Sequence, residues 1–269
     1  MHPYFDLPSP TILGHRGAAG PAPENTLVAF RRGLQDGAHA IETDAHVTRD
    51  GVPVLLHDAR VDRTTDGAGP VAEFDFDAVQ RLDAGFRYSA TPNSAPEQPY
   101  RDQGLQIPSL KEAFENLPDA RFNIELKAHD EAFIQQVVEL ILEFERESRT
   151  LLVAGEDKTQ ELLRQILVRT GAQPALGASL ADVLDVVKSA VDQRPPATDS
   201  MALQIPRSFA GQPLITSSLV EHAHRHGIAV HVWTINDPEE MKALLDLGVD
   251  GLVTDWPGRM AELIETADD

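Results

Sequence analysis

Short aliphatic and β-branched runs alternate with stretches whose apolar residues recur at helical spacing, and the alternation continues along nearly the whole chain. Residues 11–13 read as a strand leading into Gly14-His15, and a helix follows over about 25–35. Residues 40–47 and 53–57 read as strands. After a long irregular stretch, 109–117 reads as a helix, with Ser109 and Glu112 spaced as a capping box, and 121–127 as a strand. Phe133, Val137, Leu140, Ile141 and Phe144 then share one stripe at the 3.6-residue period of a core-facing helix.

The same unit repeats to the C-terminus. Strand-like 151–154 precedes a helix over 159–168 stopped by Gly171; 174–178 precedes 181–187, and 201–205 precedes 218–226, closed by Gly227. The β-branched run 228–235 leads into Asp237-Pro238-Glu239-Glu240, which combines an N-cap, a Pro at the first helical position and a capping-box Glu. Residues 250–253 and 259–264 form the last unit. About eight βα units predict an α/β fold, a (β/α)₈ TIM barrel, with an open doubly wound sheet as the rival. Residues of about 59–108, rich in Gly and Pro, exceed any ordinary βα connection. They predict a small insertion after an early barrel strand, a lid or specificity element over the mouth, within one domain spanning 1–269; a plain surface loop is the alternative.

Composition narrows the function classes. The chain has 269 residues, 42% hydrophobic and 25% charged, enough for one sizeable core. There are no cysteines, so disulfides, thiolate metal sites and cysteine nucleophiles are excluded. The first ten residues lack the basic and apolar regions of a signal peptide, and no apolar run reaches the ~18–20 residues of a spanning helix. A cytoplasmic protein without stable membrane insertion is the expectation; oligomeric state is not legible. The net charge of −20, from 23 Lys and Arg against 43 Asp and Glu, argues against nucleic acid and anionic membranes as partners. An anionic substrate would need a local positive site.

Chemistry concentrates at the predicted strand ends. In Ile41-Glu42-Thr43-Asp44, the two carboxylates share one strand face, and in Asn123-Ile124-Glu125-Leu126-Lys127, Glu125 and Lys127 share another. Either strand alone is equally compatible with ordinary solvent-edge charge. Together, three inward carboxylates favour a compensating cation, a hard oxygen set suited to Mg²⁺, Ca²⁺ or Mn²⁺. His15 and His57 end two predicted strands at the same mouth, where imidazoles can serve as general acid and base. Taken singly, each is more often a structural hydrogen-bonder than a catalyst; their shared place at the mouth with the carboxylates shifts the balance. Arg16 offers a planar fork for phosphate oxygens. Gly14, Gly17 and Gly20 do not have dinucleotide-binding spacing. His222, His224 and His226 are expected on a solvated helix face, and His231 draws no role.

Read in order, several motifs resemble those of the glycerophosphodiester phosphodiesterases. They are His15-Arg16-Gly17, Pro23-Glu24-Asn25-Thr26, Glu42-x-Asp44, His57-Asp58 and Asp62-Arg63-Thr64-Thr65-Asp66-Gly67. Ile107-Pro108-Ser109-Leu110, Asn123-Ile124-Glu125-Leu126-Lys127, Val232-Trp233-Thr234-Ile235-Asn236 and Gly248-Val249-Asp250-Gly251-Leu252-Val253-Thr254-Asp255 follow, so the match spans about 11–264. The resemblance implies a (β/α)₈ barrel that hydrolyses glycerophosphodiesters, small-molecule substrates, to sn-glycerol 3-phosphate and an alcohol. It also implies one divalent cation on Glu42, Asp44 and Glu125, with His15 and His57 as acid and base. Arg16 and Lys127 would contact phosphate, and Trp233 would line the substrate site. Two positions depart from the pattern: Gly155-Glu156 stands where members often carry Ser-Phe, and Trp256 is bulkier than the polar residue expected there.

Three alternatives remain on the sequence. A lysophospholipase D would use the same site on a lipid, with an apolar groove drawn from Phe74, Phe76, Phe86, Tyr88 and Tyr100. A catalytically silent protein would bind glycerophosphodiesters without cleaving them. An unrelated metal-dependent barrel hydrolase would usually carry an H-x-H pair at a strand end, and here His222-x-His224 falls in a predicted helix.

Overall fold

Thr11–His15 forms β1, whose first four residues are all buried, as expected of a parallel strand covered on both faces. A computed structural model describes residues 2–89, 98–209 and 211–268. From β1 the chain turns into α1 (Leu27–Gln35), capped by Thr26, whose hydroxyl accepts the Ala29 amide. The predicted start at Asn25 is two residues early because Asn25 has φ 55°, outside the helical region.

β2 (Ala40–Val47) pairs in parallel with β1. β3 (Pro53–Leu55) is antiparallel to β2, with Ala45 opposite Leu55. The run 53–57, read from sequence as a strand like the others, is therefore not a barrel stave. It folds back along the overhanging end of β2 after a tight turn in which Gly51 has φ 87°, a conformation that favours glycine.

The segment that follows contains a short helix, α2 (Phe76–Val79), and a core of its own. Val54, Leu56, Val61, Val71, Val79, Ala84 and Ile107 cluster, with Phe74, Phe76, Leu82 and Leu105 packed against them. Residues 90–97 of the expected insertion lie outside the described residues. The segment rests on the first βα loop through the Tyr88 and Tyr100 hydroxyls, which donate to the Gly20 and Pro21 carbonyls. It rejoins the framework where the Leu55 amide donates to the Pro108 carbonyl at 2.9 Å. Ser109 then caps α3 (Leu110–Asn116) with the reciprocal capping box that its spacing from Glu112 predicts.

β4 (Phe122–Leu126), α4 (Glu131–Glu143), β5 (Thr150–Val153) and α5 (Asp157–Thr170) continue the alternation. Gly171 ends α5 in the left-handed conformation, φ 73°. Then come β6 (Ala175–Leu176), α6 (Leu180–Asp192) and β7 (Ala202–Pro206), followed by a small hairpin, β8 (Ser208–Phe209) and β9 (Gln212–Pro213). The chain finishes with α7 (Ser217–Arg225), β10 (Ala229–Trp233), α8 (Pro238–Asp246), β11 (Gly251–Thr254) and α9 (Pro257–Asp268). Asp237 caps α8 as predicted, but the Glu240 carboxylate pairs with Arg207 instead of completing a capping box.

Eight parallel strands run in the order β6-β5-β4-β2-β1-β11-β10-β7. A bridge between Gly177 and Ala202 joins the two ends of that row, so the sheet curls into a nearly closed barrel with helices outside. The open-sheet rival is excluded. Two apolar clusters fill the layer between strands and helices, one including Phe30, Phe122 and Ile134, the other Ile12, Val230 and Met241. The N-terminal turn at Pro3–Phe5 closes the barrel floor, with Tyr4 buried against Leu151, Val153, Ala175, Ala202 and Ala229.

His222 departs from expectation. It is buried, and its Nε2 and the Ser189 hydroxyl of α6 lie 2.8 Å apart. Leu219, His222 and Ala223 share the face of α7 packed inward, so the histidine belongs to an interhelical contact rather than a solvated surface. Among the described residues, no helix is long and apolar enough to cross a membrane.

Candidate active site

At the carboxyl ends of the barrel strands lies a cavity of about 320 Å³, lined by His15, Arg16, Glu42, Asp44, His57, Glu125, Lys127 and Trp233. All eight residues singled out from sequence thus meet in one place, the end of a barrel where functional groups characteristically gather. Period-two alternation puts Glu42 and Asp44 of β2 inside, and Asn123, Glu125 and Lys127 on or just beyond β4. The register sets Asp44 opposite Glu125, so two strands deliver their carboxylates side by side.

His57 reaches this mouth by the β2–β3 hairpin. Because β3 folds back along β2, the Leu56 amide donates to the Asp44 carbonyl at 3.0 Å, which sets His57 beside Asp44. His15 stands at the end of β1. Arg16 follows it with φ 48°, and in that left-handed conformation its amide donates to Glu42 Oε2 at 3.1 Å. Gly17 makes the turn possible. Its φ is 91°, and a Cβ there would lie 2.6 Å from the Ala29 backbone of α1.

Each histidine is held on Nδ1 by a carboxylate: His15 by Asp255 at 2.5 Å and His57 by Asp58 at 2.6 Å. An ionised carboxylate only accepts, so each Nδ1 carries the hydrogen and each Nε2 is left for the cavity. Asp255 is itself fixed by Asn236, whose side-chain nitrogen donates to Asp255 Oδ2 at 2.6 Å. Asp58 accepts from Arg63 Nε at 2.6 Å. The two amino nitrogens of Arg63 also donate to Glu24 at 2.6 and 2.8 Å, and Glu24 accepts from Arg16 at 2.7 Å. One chain of ionic hydrogen bonds therefore runs from His57 to Arg16.

The electrostatics follow from these contacts. Burial opposes charge on His15, but the hydrogen bond to Asp255 and the field of Glu42 outweigh it, so its pKa is raised. The hydrogen bond from Arg63 holds the Asp58 pKa at about 2. Asp44 is buried, yet Lys127 at 3.1 Å and Arg16 at 3.4 Å keep its pKa below the ordinary value. Lys127 also lies 2.7 Å from Glu125. Glu42 has no such partner: among the described residues no Lys, Arg or His forms an ion pair with it. Burial and the neighbouring Asp44 charge push its pKa to about 7.

Glu42, Asp44 and Glu125 each offer a carboxylate oxygen within 4.8 Å of the others, so this cluster fits a metal ion. The under-compensated Glu42 and the all-oxygen donor set suit a hard divalent cation.

Several contributors carried no role in the sequence reading: Asp255, Asn236, Asp58, Glu24, Arg63, and the cavity-lining Asn123 and Gln204. Asp58, Glu24 and Arg63 sit inside recognisable motifs, and those motifs were the available signal. The two departures resolve differently. Gly155 lines the cavity, and a Cβ there would come within 3.3 Å of Glu125 Oε1. Trp256 packs over Gly20, with Arg259 stacked on its ring, and does not line the cavity.

Comparison with known proteins agrees with this geometry. A glycerophosphodiester phosphodiesterase of Caldanaerobacter subterraneus is 29% identical over 94% of this chain and 97% of its own. A probable glycerophosphodiester phosphodiesterase of Mycobacterium tuberculosis is 31% identical over 90% of this chain and 86% of its own. Among solved structures, an Oleispira antarctica phosphodiesterase in complex with the product sn-glycerol-3-phosphate superposes with a TM-score of 0.78 at 25% identity, covering 98% of this chain and all of that one. The family model for glycerophosphoryl diester phosphodiesterases matches residues 15–259, from the first site histidine to beyond the aspartate that holds it, and the chain belongs to that family.

Proposed function

We infer that this chain hydrolyses glycerophosphodiesters to sn-glycerol 3-phosphate and an alcohol, with His15 and His57 as the acid–base pair. The observation that carries the reading is the pair of histidines, each oriented through Nδ1 by an aspartate, opening on the same cavity as three carboxylates and two cationic side chains. An acid and a base opening on one cavity, with groups beside them that can balance charge on a phosphoryl group, are what displacement at a phosphodiester requires.

In the proposed reaction, one histidine Nε2 takes the proton of the nucleophile, water or the substrate's own 2-hydroxyl through a cyclic phosphate. The new bond to phosphorus forms as the bond to the leaving alcohol breaks, and the other histidine donates a proton to the departing alkoxide. Water then opens the cyclic product if that route is taken. Arg16 and Lys127, together with the cation that the three carboxylates would hold, would balance charge on the nonbridging oxygens and let a chain of net charge −20 admit an anion. Glu42, Asp44 and Glu125 would hold Mg²⁺, Ca²⁺ or Mn²⁺, which when bound supplies Lewis-acid polarisation of a phosphate oxygen. Trp233, 45% exposed at the end of β10, forms one wall of the entrance.

The lysophospholipase D reading finds less support. Phe74 and Phe76 pack into the insertion's own core, Tyr88 and Tyr100 meet edge to face, and Arg101 covers the Phe86 ring. None of these five lines the cavity. The test is an assay of EDTA-stripped protein on glycerophosphocholine and lysophosphatidylcholine, with Mg²⁺, Ca²⁺ or Mn²⁺ restored in turn. Cation-dependent release of choline and glycerol 3-phosphate from the first is the expected result. Turnover of the second alone would move the activity to lipids.

A further inference from the structure

Residues 16–26, between β1 and α1, form a loop whose two ends rest on the carboxylate cluster. The Arg16 amide donates to Glu42 Oε2 at 3.1 Å, and the Asn25 side-chain nitrogen donates to Asp44 Oδ2 at 3.2 Å. The Asn25 amide donates to the Arg16 carbonyl at 3.0 Å, which pinches the loop shut at its base. Its tip, Gly20-Pro21, does not line the cavity.

The tip is nevertheless held from three sides. The Gly20 amide donates at 3.0 Å to the main-chain carbonyl of Asp255, the residue whose carboxylate holds His15. The Trp256 indole fills the space beside Gly20, where any Cβ would overlap it. The third side belongs to the insertion. The Tyr88 hydroxyl donates to the Gly20 carbonyl at 2.8 Å and the Tyr100 hydroxyl to the Pro21 carbonyl at 3.4 Å. The two rings brace each other edge to face, with centroids 5.1 Å apart. Burial raises the Tyr88 pKa, so its hydroxyl keeps the proton it donates. Phenylalanine would supply the same ring packing; only the hydroxyls reach the loop.

We propose that Tyr88 and Tyr100 are positioning residues for the reaction: through Gly20 and Pro21 they fix the loop that carries Arg16 and braces Asp255 against His15. The inference rests on the function proposed above and adds the insertion to its machinery. Neither phenol lines the cavity, so the effect is on geometry alone. The base of the loop is tied to Glu42 and Asp44 and its tip to Asp255, so drift at the tip reaches the cation and histidine sites together. A displacement of about 1 Å originating far from the chemistry can cost about 10²-fold in rate.

The test compares Tyr88→Phe and the Tyr88→Phe/Tyr100→Phe double variant with Val79→Ala, which hollows the insertion's core without touching the loop. Tyr88→Phe is expected to lower kcat on glycerophosphocholine roughly three- to tenfold, the scale of one neutral hydrogen bond, and the double variant to lower it further. Val79→Ala should lower the melting temperature and leave kcat unchanged. Proton NMR adds a readout independent of turnover. The His15 Nδ1 proton, identified by its absence in His15→Ala, should shift in Tyr88→Phe, while the His57 Nδ1 proton held by Asp58 stays in place. Wild-type kcat in the double variant, an unmoved His15 proton, or an equal loss of kcat in Val79→Ala would overturn the proposal. A wild type that hydrolyses no glycerophosphodiester, with a His15 proton that still responds to Tyr88→Phe, would instead overturn the proposed function and leave the positioning role standing.

Discussion

His15 Nδ1 and Asp255 Oδ1 lie 2.5 Å apart although 240 residues separate them in sequence. β1 and β11 are neighbours in the barrel, and their register pairs Gly14 with Thr254, so the first and last strands end side by side at the mouth. The carboxylate fixes the imidazole's orientation and tautomer. Asp255→Asn is expected to lower turnover by about 10²-fold or more, as loss of an orienting aspartate does elsewhere, while leaving the fold intact. Steady-state kinetics with a circular-dichroism control checks this; near-normal kcat would remove Asp255 from the machinery.

His57→Ala and His15→Ala should each cost about 10²–10⁴-fold in kcat, the usual scale for a lost acid or base. Arg63 connects Asp58, which holds His57, to Glu24, which holds Arg16. Arg63→Lys, which keeps charge but loses the planar fork, is expected to cost roughly 10–10²-fold through misplacement of both. If Arg63→Lys matches wild type, the link is only structural.

Glu42 is the carboxylate without a cationic partner, and its charge beside Asp44 is what a bound cation would relieve. Glu42→Gln should weaken Mg²⁺ or Mn²⁺ binding by about tenfold or more in calorimetry, and should stabilise the cation-free protein. Unchanged affinity would take Glu42 out of the ligand set.

His231 supplies a pH dependence with a definite sign. Burial lowers its pKa from the ordinary 6.5 to about 4, so the folded protein favours the neutral ring. The unfolded chain therefore binds the extra proton first as the medium acidifies. The stability contribution is complete above pH 6.5 and is lost as pH falls toward 4, up to roughly 3 kcal/mol for a shift of this size. Chemical denaturation at pH 7 and pH 4.5 should show a steeper loss in wild type than in His231→Leu. Parallel losses would contradict the assignment.

What the sequence determined by itself is what short-range periodicity encodes. Alternation in 41–44 and 123–127 gives the inward carboxylates, the Ser109–Glu112 spacing gives a capping box, and Gly171 ends α5. Each depends only on residues a few positions apart. Motif order added the family and brought all eight proposed site residues to one cavity.

Tertiary structure alone decided the rest, because its causes are strand pairings between distant segments. The run 53–57 has the composition of a stave, and only its antiparallel pairing with β2 made it the hairpin that lifts His57 to the mouth. His222 stands among polar neighbours in sequence, yet the packing of α7 on α6 buries it against Ser189. Gln204 carries no sequence signal, and Asn123 carries only its place on the inward face of the 123–127 motif. Barrel closure brings β4 and β7 round one cavity, where both amides join its lining.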